Sequence, residues 1–212
     1  MDLQANEYNI EFEKAIKALK EIGEHVDGHQ EKSKKRKSID HSWISTYSGK
    51  KFNVFNPSVD MVSIEDIAHA LSQICRFTGH SKEFYSVASH CVYVSYICNR
   101  ENALWGLLHD GGEAYATDIA SPIKNTDEFA FYRKIESKIQ EVICEKFNLP
   151  KEEPEDVKYA DKVLLYTEAR DLMTLNKDWV FKLDPLPFKI VAHSPKEAKD
   201  LFLNRFKELT SD

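Results

Sequence analysis

The last hundred residues of the chain, 113–212, contain no glycine. Glycine destabilises a helix interior by about 1 kcal/mol relative to alanine, so its absence favours uninterrupted helices. Apolar residues recur through this stretch at spacings of three and four, which is the repeat of one helix face. Together, these two features predict long helices over residues 128–147 and 154–175.

The same apolar spacing predicts helices in five other segments. These segments are residues 8–25, 63–75, 83–98, 102–116 and 194–209. In the last of them, Ser194 is a suitable N-cap and Pro195 fits the first helical position. Residues 46–52 instead resemble a short hairpin that turns at Gly49, and residues 118–125 resemble a loop. The expected fold class is all-α, a helical bundle with a short hairpin or turn region near its start.

The first part of the chain differs in composition from the rest. After the predicted N-terminal helix, residues 26–42 are polar and contain a basic run at 32–37. The run could contact nucleic acid, but a solvated linker is the favoured interpretation. We therefore expect residues 1–42 to form a helix and basic linker ahead of one domain at 43–212.

The charge balance limits the classes of partner. Lys and Arg total 29 and Asp and Glu total 35, which gives a net charge of -6. A dedicated nucleic-acid binder usually carries a basic face, so no stable nucleic-acid complex is expected. The sequence has no apolar run of about 18 residues that could span a membrane, and its start lacks the pattern of a secretion signal. We expect a cytoplasmic protein.

None of the four cysteines is part of a Cys-x-x-Cys pair. They are Cys75, Cys91, Cys98 and Cys144. Apolar surroundings favour buried, reduced thiols. A catalytic pairing of Cys91 with His90 is excluded, because neighbours in sequence point to different sides of a helix.

Histidines and carboxylates stand out in the predicted helices. His90 lies within an apolar pattern, and His109 with Asp110 occurs in the next helix. Glu113 lies four residues after His109, so the two would share one helix face. Such groups are costly to bury unless partners or a metal satisfy them, and mixed nitrogen and oxygen ligands suit Mn, Fe, Co, Ni or Zn. Taken singly, each residue has a simpler interpretation. His90 could be a hydrogen-bonded histidine of the core, and Asp161 could be an exposed residue or the partner of a lysine on the same helix.

The order His, His-Asp, Asp resembles the signature of the HD-domain metal-dependent phosphohydrolases. Five longer segments extend the resemblance: 67–72 (IAHALS), 75–80 (CRFTGH), 84–90 (FYSVASH), 107–110 (LLHD) and 113–115 (EAY). They are similar to the small phage and bacterial members, including the bacterial 5′-deoxynucleotidases and the phage deoxynucleoside triphosphohydrolases. Segments 43–50 (WISTYSGK) and 194–198 (SPKEA) fit the phage branch. The resemblance implies an HD-domain helical bundle.

The resemblance also implies a metal site and two catalytic carboxylates. The implied ligands of one divalent transition-metal ion are His90, His109, Asp110 and Asp161. Glu113 matches the position that orients or activates water. Asp118 matches a second acidic position, in the segment 118–124 (DIASPIK). The family often has small residues such as Ala where this chain has Gly111 and Gly112.

Four residues are predicted to contact substrate. Arg76 and Phe77 match an Arg-Trp pair that contacts the nucleotide, with Phe here in place of Trp. Arg76 and Lys124 could hold phosphate oxygens, the arginine with bidentate geometry. A solvated loop lysine is the alternative for Lys124. His80 is either a phosphate contact or a loop hydrogen-bonding residue.

The leading functional hypothesis is removal of phosphate from 5′-deoxynucleoside monophosphates. The alternative enzyme is a triphosphohydrolase that releases triphosphate from a deoxynucleoside triphosphate such as dATP. The alternative without catalysis is a nucleotide-binding regulatory HD domain. Relatives commonly self-associate, so the resemblance also implies a homo-oligomer.

Overall fold

The computed structural model describes residues 10, 12–18 and 42–211. The chain divides into two units, residues 1–40 and 41–212. In the first unit, the described residues are helical. The rest of the helix predicted over 8–25, and the basic run at 32–37, lie outside the described residues.

The second unit begins with the predicted hairpin. Strand β1 (Trp43–Ser45) pairs antiparallel with β2 (Lys51–Asn53), so that Ile44 lies opposite Phe52. The turn is confirmed at Gly49, whose φ of +82° is a conformation that glycine adopts at no steric cost. Phe52 is fully buried and its ring stacks on that of Tyr115 at 3.7 Å. Burying such a side chain stabilises the fold by roughly 1.5–3 kcal/mol.

The rest of this unit is helical. The eight α-helices within residues 42–211 are α1 (Ile64–Gln73), α2 (Val87–Ile97), α3 (Ala103–Leu108), α4 (Glu113–Ala116), α5 (Ser121–Lys124), α6 (Ala130–Lys146), α7 (Glu155–Leu172) and α8 (Pro195–Thr210). The prediction of a mainly α-helical fold is confirmed. None of these helices, nor the described N-terminal residues, is both long and apolar enough to cross a membrane.

Helix α2 lies at the centre of the bundle. It packs against α1, α3, α7 and α8. Most of its residues are buried, as expected for a helix that is apolar on nearly all sides. Helix α8 closes the bundle and begins with a capping box, in which Ser194 and Glu197 satisfy each other's backbone N–H groups. The predicted Ser194 cap is confirmed.

The structure corrects three predicted segments. The helix expected over 102–116 is interrupted by a turn at 109–112, which separates α3 from α4. The loop expected over 118–125 contains the short helix α5. The helix expected from residue 83 begins only at Val87, because the Ser86 hydroxyl accepts the Ser89 N–H and ends the extended segment before it.

The cysteines are free, but not all of them are buried. Cys91 and Cys144 are buried, whereas Cys75 and Cys98 are half-buried. Cys75 lies at the end of α1, where its backbone pairs with that of Ser86. The expectation of four buried thiols is therefore correct for two of them.

Candidate metal centre

Three helices bring two histidines and two aspartates to one point. His90 lies on the first turn of α2, His109 and Asp110 directly follow α3, and Asp161 lies on the second turn of α7. The Nε2 atoms of His90 and His109 are 3.2 Å apart. Asp161 Oδ1 lies 3.1 Å from His90 Nε2, and Asp110 Oδ2 lies 3.3 Å from His109 Nε2. We call these four residues the His-Asp cluster.

Hydrogen bonds determine which nitrogen of each neutral ring carries the proton. His109 Nδ1 lies 2.7 Å from the carbonyl oxygen of Gly106, which only accepts. His90 Nδ1 lies 2.7 Å from a carboxylate oxygen of Glu168. Both neutral rings therefore carry the proton on Nδ1 and direct an Nε2 lone pair at the same point. Because the two aspartates add only acceptors there, either a proton on one ring or a bound cation would satisfy the cluster.

The pKa values of the cluster show how strongly it attracts positive charge. Burial lowers the pKa of His90, but the carboxylates of Glu168 and Asp161 outweigh burial and raise it above its usual value. Burial likewise opposes protonation of His109, yet Asp110 raises its pKa well above the usual range. The two histidines in turn hold the pKa of Asp110 well below its ordinary value, against the effect of burial. The same potential would attract a divalent ion.

The residues fit a transition-metal ion. Two imidazole nitrogens bound to one ion at 2.0–2.1 Å are about 3.0–3.4 Å apart, depending on the coordination geometry. The separation of 3.2 Å lies in this range. Ligand atoms of His90, His109 and Asp161 all lie within 4.8 Å of one another, and Asp110 Oδ2 is 3.9 Å from His90 Nε2. These four residues could together hold one metal ion.

The turn after α3 places His109 and Asp110. Gln140 of α6 holds the turn through two hydrogen bonds. Its side-chain NH2 group donates to the Leu108 carbonyl at 2.9 Å, and its side-chain oxygen accepts from the Gly112 N–H at 3.1 Å. A Cβ atom on Gly111 would lie 2.9 Å from the Leu108 carbonyl oxygen and 3.2 Å from Ile143 Cδ1. Glycine at position 111 therefore allows α6 to approach the turn closely.

We expect Gly111→Ala to lower the free energy of unfolding by about 1–3 kcal/mol, as overpacking does elsewhere. Gly112→Ala is the matched control, because a Cβ there would lie 3.4 Å or more from its neighbours. That variant should change stability by no more than about 1 kcal/mol in either direction. Urea denaturation of both variants measures the difference. Equal losses in the two would contradict the packing argument.

Arg76 adjoins the cluster from an unusual turn. Its NH1 atom lies 3.7 Å from Asp110 Oδ2, and its Nε donates to Glu168 at 3.1 Å. The next two residues, Phe77 and Thr78, have φ angles of 52° and 54°. This left-handed conformation costs about 1–2 kcal/mol per L-residue. The Phe77 ring lies 5.6 Å from the Arg76 guanidinium, so the two side chains predicted to contact the nucleotide are neighbours.

Beside the cluster lies a cleft of about 420 Å³, lined by His109, Asp110 and Glu113. Glu113 is only 7% exposed, and its buried Oε2 atom has no hydrogen-bond partner among the described residues. Burial, followed by the nearby Asp110 and Asp118, raises the pKa of Glu113 to about 9. Buried polar atoms nearly always have partners, so this carboxyl group is poised for water or a ligand in the cleft.

The other predicted site residues occupy different positions. Lys124 lines the same cleft and its Nζ lies 2.6 Å from Glu136 Oε1, so it is not the freely solvated loop lysine. Asp118 is half-buried after α4, near enough to Glu113 to raise its pKa. His80 is exposed, and within residues 42–211 no hydrogen bond, ion pair or ring contact joins its side chain to the cluster.

Sequence reasoning missed Glu168. It is fully buried on α7, two turns after Asp161 and hence on the same helix face. Its Oε1 atom accepts from the Tyr85 hydroxyl at 2.8 Å and from His90, and its Oε2 accepts from Arg76. The available signal was a glutamate seven residues after Asp161, inside an otherwise mostly apolar run.

Cys91 also lies closer to the cluster than expected. Its sulfur could join His109 and Asp110 in a second group, whose ligand atoms lie within 4.8 Å of one another. Burial raises the pKa of the Cys91 thiol to about 11, so it remains protonated at neutral pH. A neutral thiol is a poor metal ligand, and the cluster of histidines and aspartates is the better site. From the sequence, a pairing of Cys91 with His90 was excluded, whereas a pairing with His109, at the end of the neighbouring helix, was not considered.

Comparison with known proteins places the chain among relatives. No family model matches it. The uncharacterized protein YfdR of Escherichia coli K12 is 40% identical over 173 residues, which cover 80% of this chain and 96% of YfdR. An uncharacterized protein of Rhodobacter capsulatus is 29% identical over 138 residues, covering 61% of this chain and 70% of that protein. The chain belongs to the family of the Escherichia coli protein YfdR.

Proposed function

We propose that this protein is a metal-dependent phosphohydrolase of the HD-domain type, which removes the phosphate from 5′-deoxynucleoside monophosphates. One observation carries the proposal. Two imidazole lone pairs, with Asp161 beside one and Asp110 beside the other, lie next to a cleft in which a buried oxygen of Glu113 has no partner among the described residues. An ion-binding point next to an acid–base group in a cleft is the arrangement that metal-assisted hydrolysis requires.

The residues of the site have distinct roles in this proposal. His90, His109, Asp110 and Asp161 would hold one divalent ion of Mn, Fe, Co, Ni or Zn. Such an ion, when bound, polarises a phosphoryl group and lowers the pKa of water toward neutrality. The positive charge of a bound ion would also lower the pKa of Glu113 from about 9, because an adjacent cation favours the carboxylate. The ionised carboxyl group would then align the attacking water and take its proton.

Cations of the site would bind the phosphate oxygens. Arg76 NH1 is 3.7 Å from Asp110 and Arg76 Nε is bonded to Glu168, so the guanidinium is fixed beside the cluster. Arginine in such a fixed orientation suits the planar array of phosphate oxygens. Lys124 contributes a second positive charge from the cleft wall, although Glu136 already neutralises part of it.

The charge of the cleft favours a substrate with a single phosphate. Its lining contains six carboxyl groups and three cationic side chains, from Lys124, Arg133 and Lys151. The carboxyl groups belong to Asp110, Glu113, Glu136, Glu141, Glu152 and Glu153. A triphosphate would bring several more negative charges toward this wall, and like charges repel by about 1 kcal/mol per pair even in water-like surroundings. This supports the monophosphatase over the triphosphohydrolase.

Incubation with a nucleotide panel tests the proposal. The protein, loaded in turn with Mn²⁺, Co²⁺ or Zn²⁺, is given deoxynucleoside monophosphates and triphosphates, and the products are identified. Inorganic phosphate from monophosphates supports the proposed activity. Triphosphate from deoxynucleoside triphosphates would establish the alternative enzyme instead. Nucleotide binding without product from either would indicate a regulatory domain.

Neutralising the cleft wall should shift this selectivity. We expect the double variant Glu152→Gln/Glu153→Gln to raise hydrolysis of triphosphates relative to monophosphates by about fivefold, the effect of roughly 1 kcal/mol. Glu155→Gln is the control, because Glu155 is exposed and lies outside the cleft. The ratio of the two kcat/KM values is measured for each protein. An unchanged ratio in the double variant would show that these glutamates do not select the substrate.

A further inference from the structure

One buried carboxylate, that of Glu168, contacts both the proposed metal ligand His90 and the proposed phosphate-binding residue Arg76. Glu168 has no exposed surface, yet it carries neither an ion-binding nor a proton-transfer role in the proposed function. Three donors from two other parts of the fold contact it, the Tyr85 hydroxyl at 2.8 Å, His90 Nδ1 at 2.7 Å and Arg76 Nε at 3.1 Å. A buried carboxylate is tolerated only when such donors satisfy it, and here all three belong to or adjoin the site.

We infer that Glu168 is a positioning residue that fixes a metal-binding histidine and a phosphate-binding arginine at the same time. The inference rests on the proposed function for the role of Arg76, but its metal-binding half does not require catalysis. The two carboxylate oxygens of Glu168 contact different donors. Oε1 accepts from His90 and Tyr85, whereas Oε2 accepts from Arg76.

The contact with His90 fixes the ring in two respects. The carboxylate accepts a hydrogen bond from Nδ1–H, so the neutral ring keeps its proton there and leaves the Nε2 lone pair available. The same hydrogen bond sets the rotation of the ring, which places Nε2 3.1 Å from Asp161 and 3.2 Å from His109 Nε2. Outer partners of this kind typically contribute 10–100-fold to metal affinity.

The contact with Glu168 occupies only the Nε side of the Arg76 guanidinium. Glu168 engages Nε, while NH1 lies 3.7 Å from Asp110, beyond hydrogen-bonding distance. The guanidinium is thereby held with NH1 beside the cluster, where a phosphate would sit. The next two residues, Phe77 and Thr78, adopt left-handed backbone angles, which set the direction of the chain after Arg76. Loss of the Glu168 contact would release the guanidinium toward Asp110, and phosphate binding would weaken.

Glu168→Gln separates this role from simple filling of space. Glutamine has nearly the same shape, but its side chain has one accepting oxygen and one donating amide. Whichever way the amide is placed, it sets an N–H group against either the His90 and Tyr85 donors or the Arg76 donor. Both ends therefore cannot be satisfied together.

The experiment measures two affinities on the full chain. Mn²⁺ affinity is determined by calorimetric titration of metal-free protein, and inorganic phosphate affinity is determined at saturating Mn²⁺. For Glu168→Gln we expect the Mn²⁺ dissociation constant to rise 10–100-fold and the phosphate dissociation constant to rise about tenfold. Glu168→Asp keeps the charge and should recover part of each loss.

Asp66→Asn is the matched control for losing a buried carboxylate. Asp66 is 2% exposed and accepts the backbone N–H and the hydroxyl of Ser48, away from the cluster. It should lower thermal stability while leaving both affinities unchanged. If Glu168→Gln is folded, with unchanged Mn²⁺ and phosphate affinities, Glu168 is only structural and the inference is wrong. If Glu168→Gln does not fold, Glu168→Asp provides the test, because its carboxylate is one methylene shorter and cannot reach all three donors. Affinities equal to those of the unsubstituted protein would then overturn the inference. Absence of phosphatase activity in the unsubstituted protein would refute the proposed function and leave the Mn²⁺ result valid.

Discussion

Replacing His109 by alanine is expected to weaken metal binding by more than about 100-fold, because even outer partners of metal ligands contribute 10–100-fold. Hydrolysis should fall with it to the background rate. His109 supplies one of two Nε2 lone pairs that meet at 3.2 Å, and its ring is held by the Gly106 carbonyl. Among the described residues, only the protonated Cys91 thiol lies close enough to take the place of the imidazole. Elemental analysis after dialysis, together with phosphate release, measures both losses.

His69→Ala is the control for His109→Ala. The His69 ring stacks on that of Tyr47 at 3.8 Å, in contact with the hairpin rather than with the cluster. Its removal should leave the metal content unchanged. A His109→Ala protein that retains a full equivalent of metal and full activity would show that the cluster is not the metal site.

Glu113→Gln should lower kcat by about 100- to 10,000-fold while metal content and KM stay close to their original values. The amide keeps the size of the side chain but cannot take a proton from water. Glu113 is nearly buried in the wall of the cleft, and its Oε2 atom has no partner in the described part of the chain. The substitution therefore breaks no known side-chain bond, and a large loss would be chemical rather than structural.

Single-turnover and steady-state rates of Glu113→Gln, with thermal unfolding as a check on the fold, measure the effect. Glu145→Gln is a suitable control, because Glu145 is exposed on α6 and does not line the cleft. Its kcat should match that of the unsubstituted protein. If Glu113→Gln also turned over at the original rate, another group would have to activate water.

The mainly helical fold follows from local patterns in the sequence. The periodicity of α6, α7 and α8 extends over several turns, and the Ser194 cap adds a local signal, so their ends were predicted to within three residues. The interruption at 109–112 could not be predicted in this way. It depends on Gln140, which is distant in sequence and satisfies the backbone groups freed by the break.

The same distinction applies to the site. Residues of the His-Asp cluster were predicted from an ordered motif. The structure brings His90, His109 and Asp161 together, and Asp110 lies 3.3 Å from His109. Glu168 was missed because its role depends on contacts with residues 78 and 92 positions away along the chain. His80 was predicted from a matching segment as a phosphate contact or a loop residue, and its side chain is exposed just after the left-handed residues Phe77 and Thr78. Long-range packing, which no local pattern encodes, accounts for the missed glutamate.

The most direct test of the proposed chemistry is phosphate release by metal-stripped protein before and after a metal is restored. The four deoxynucleoside 5′-monophosphates are the substrates, and Mn²⁺ or Co²⁺ is added to one equivalent. We predict no release above background from the stripped protein and restored release with one ion per chain, absent in His109→Ala. Equal release with and without metal, or none from any monophosphate in the loaded protein, would contradict a metal-dependent nucleotide phosphohydrolase.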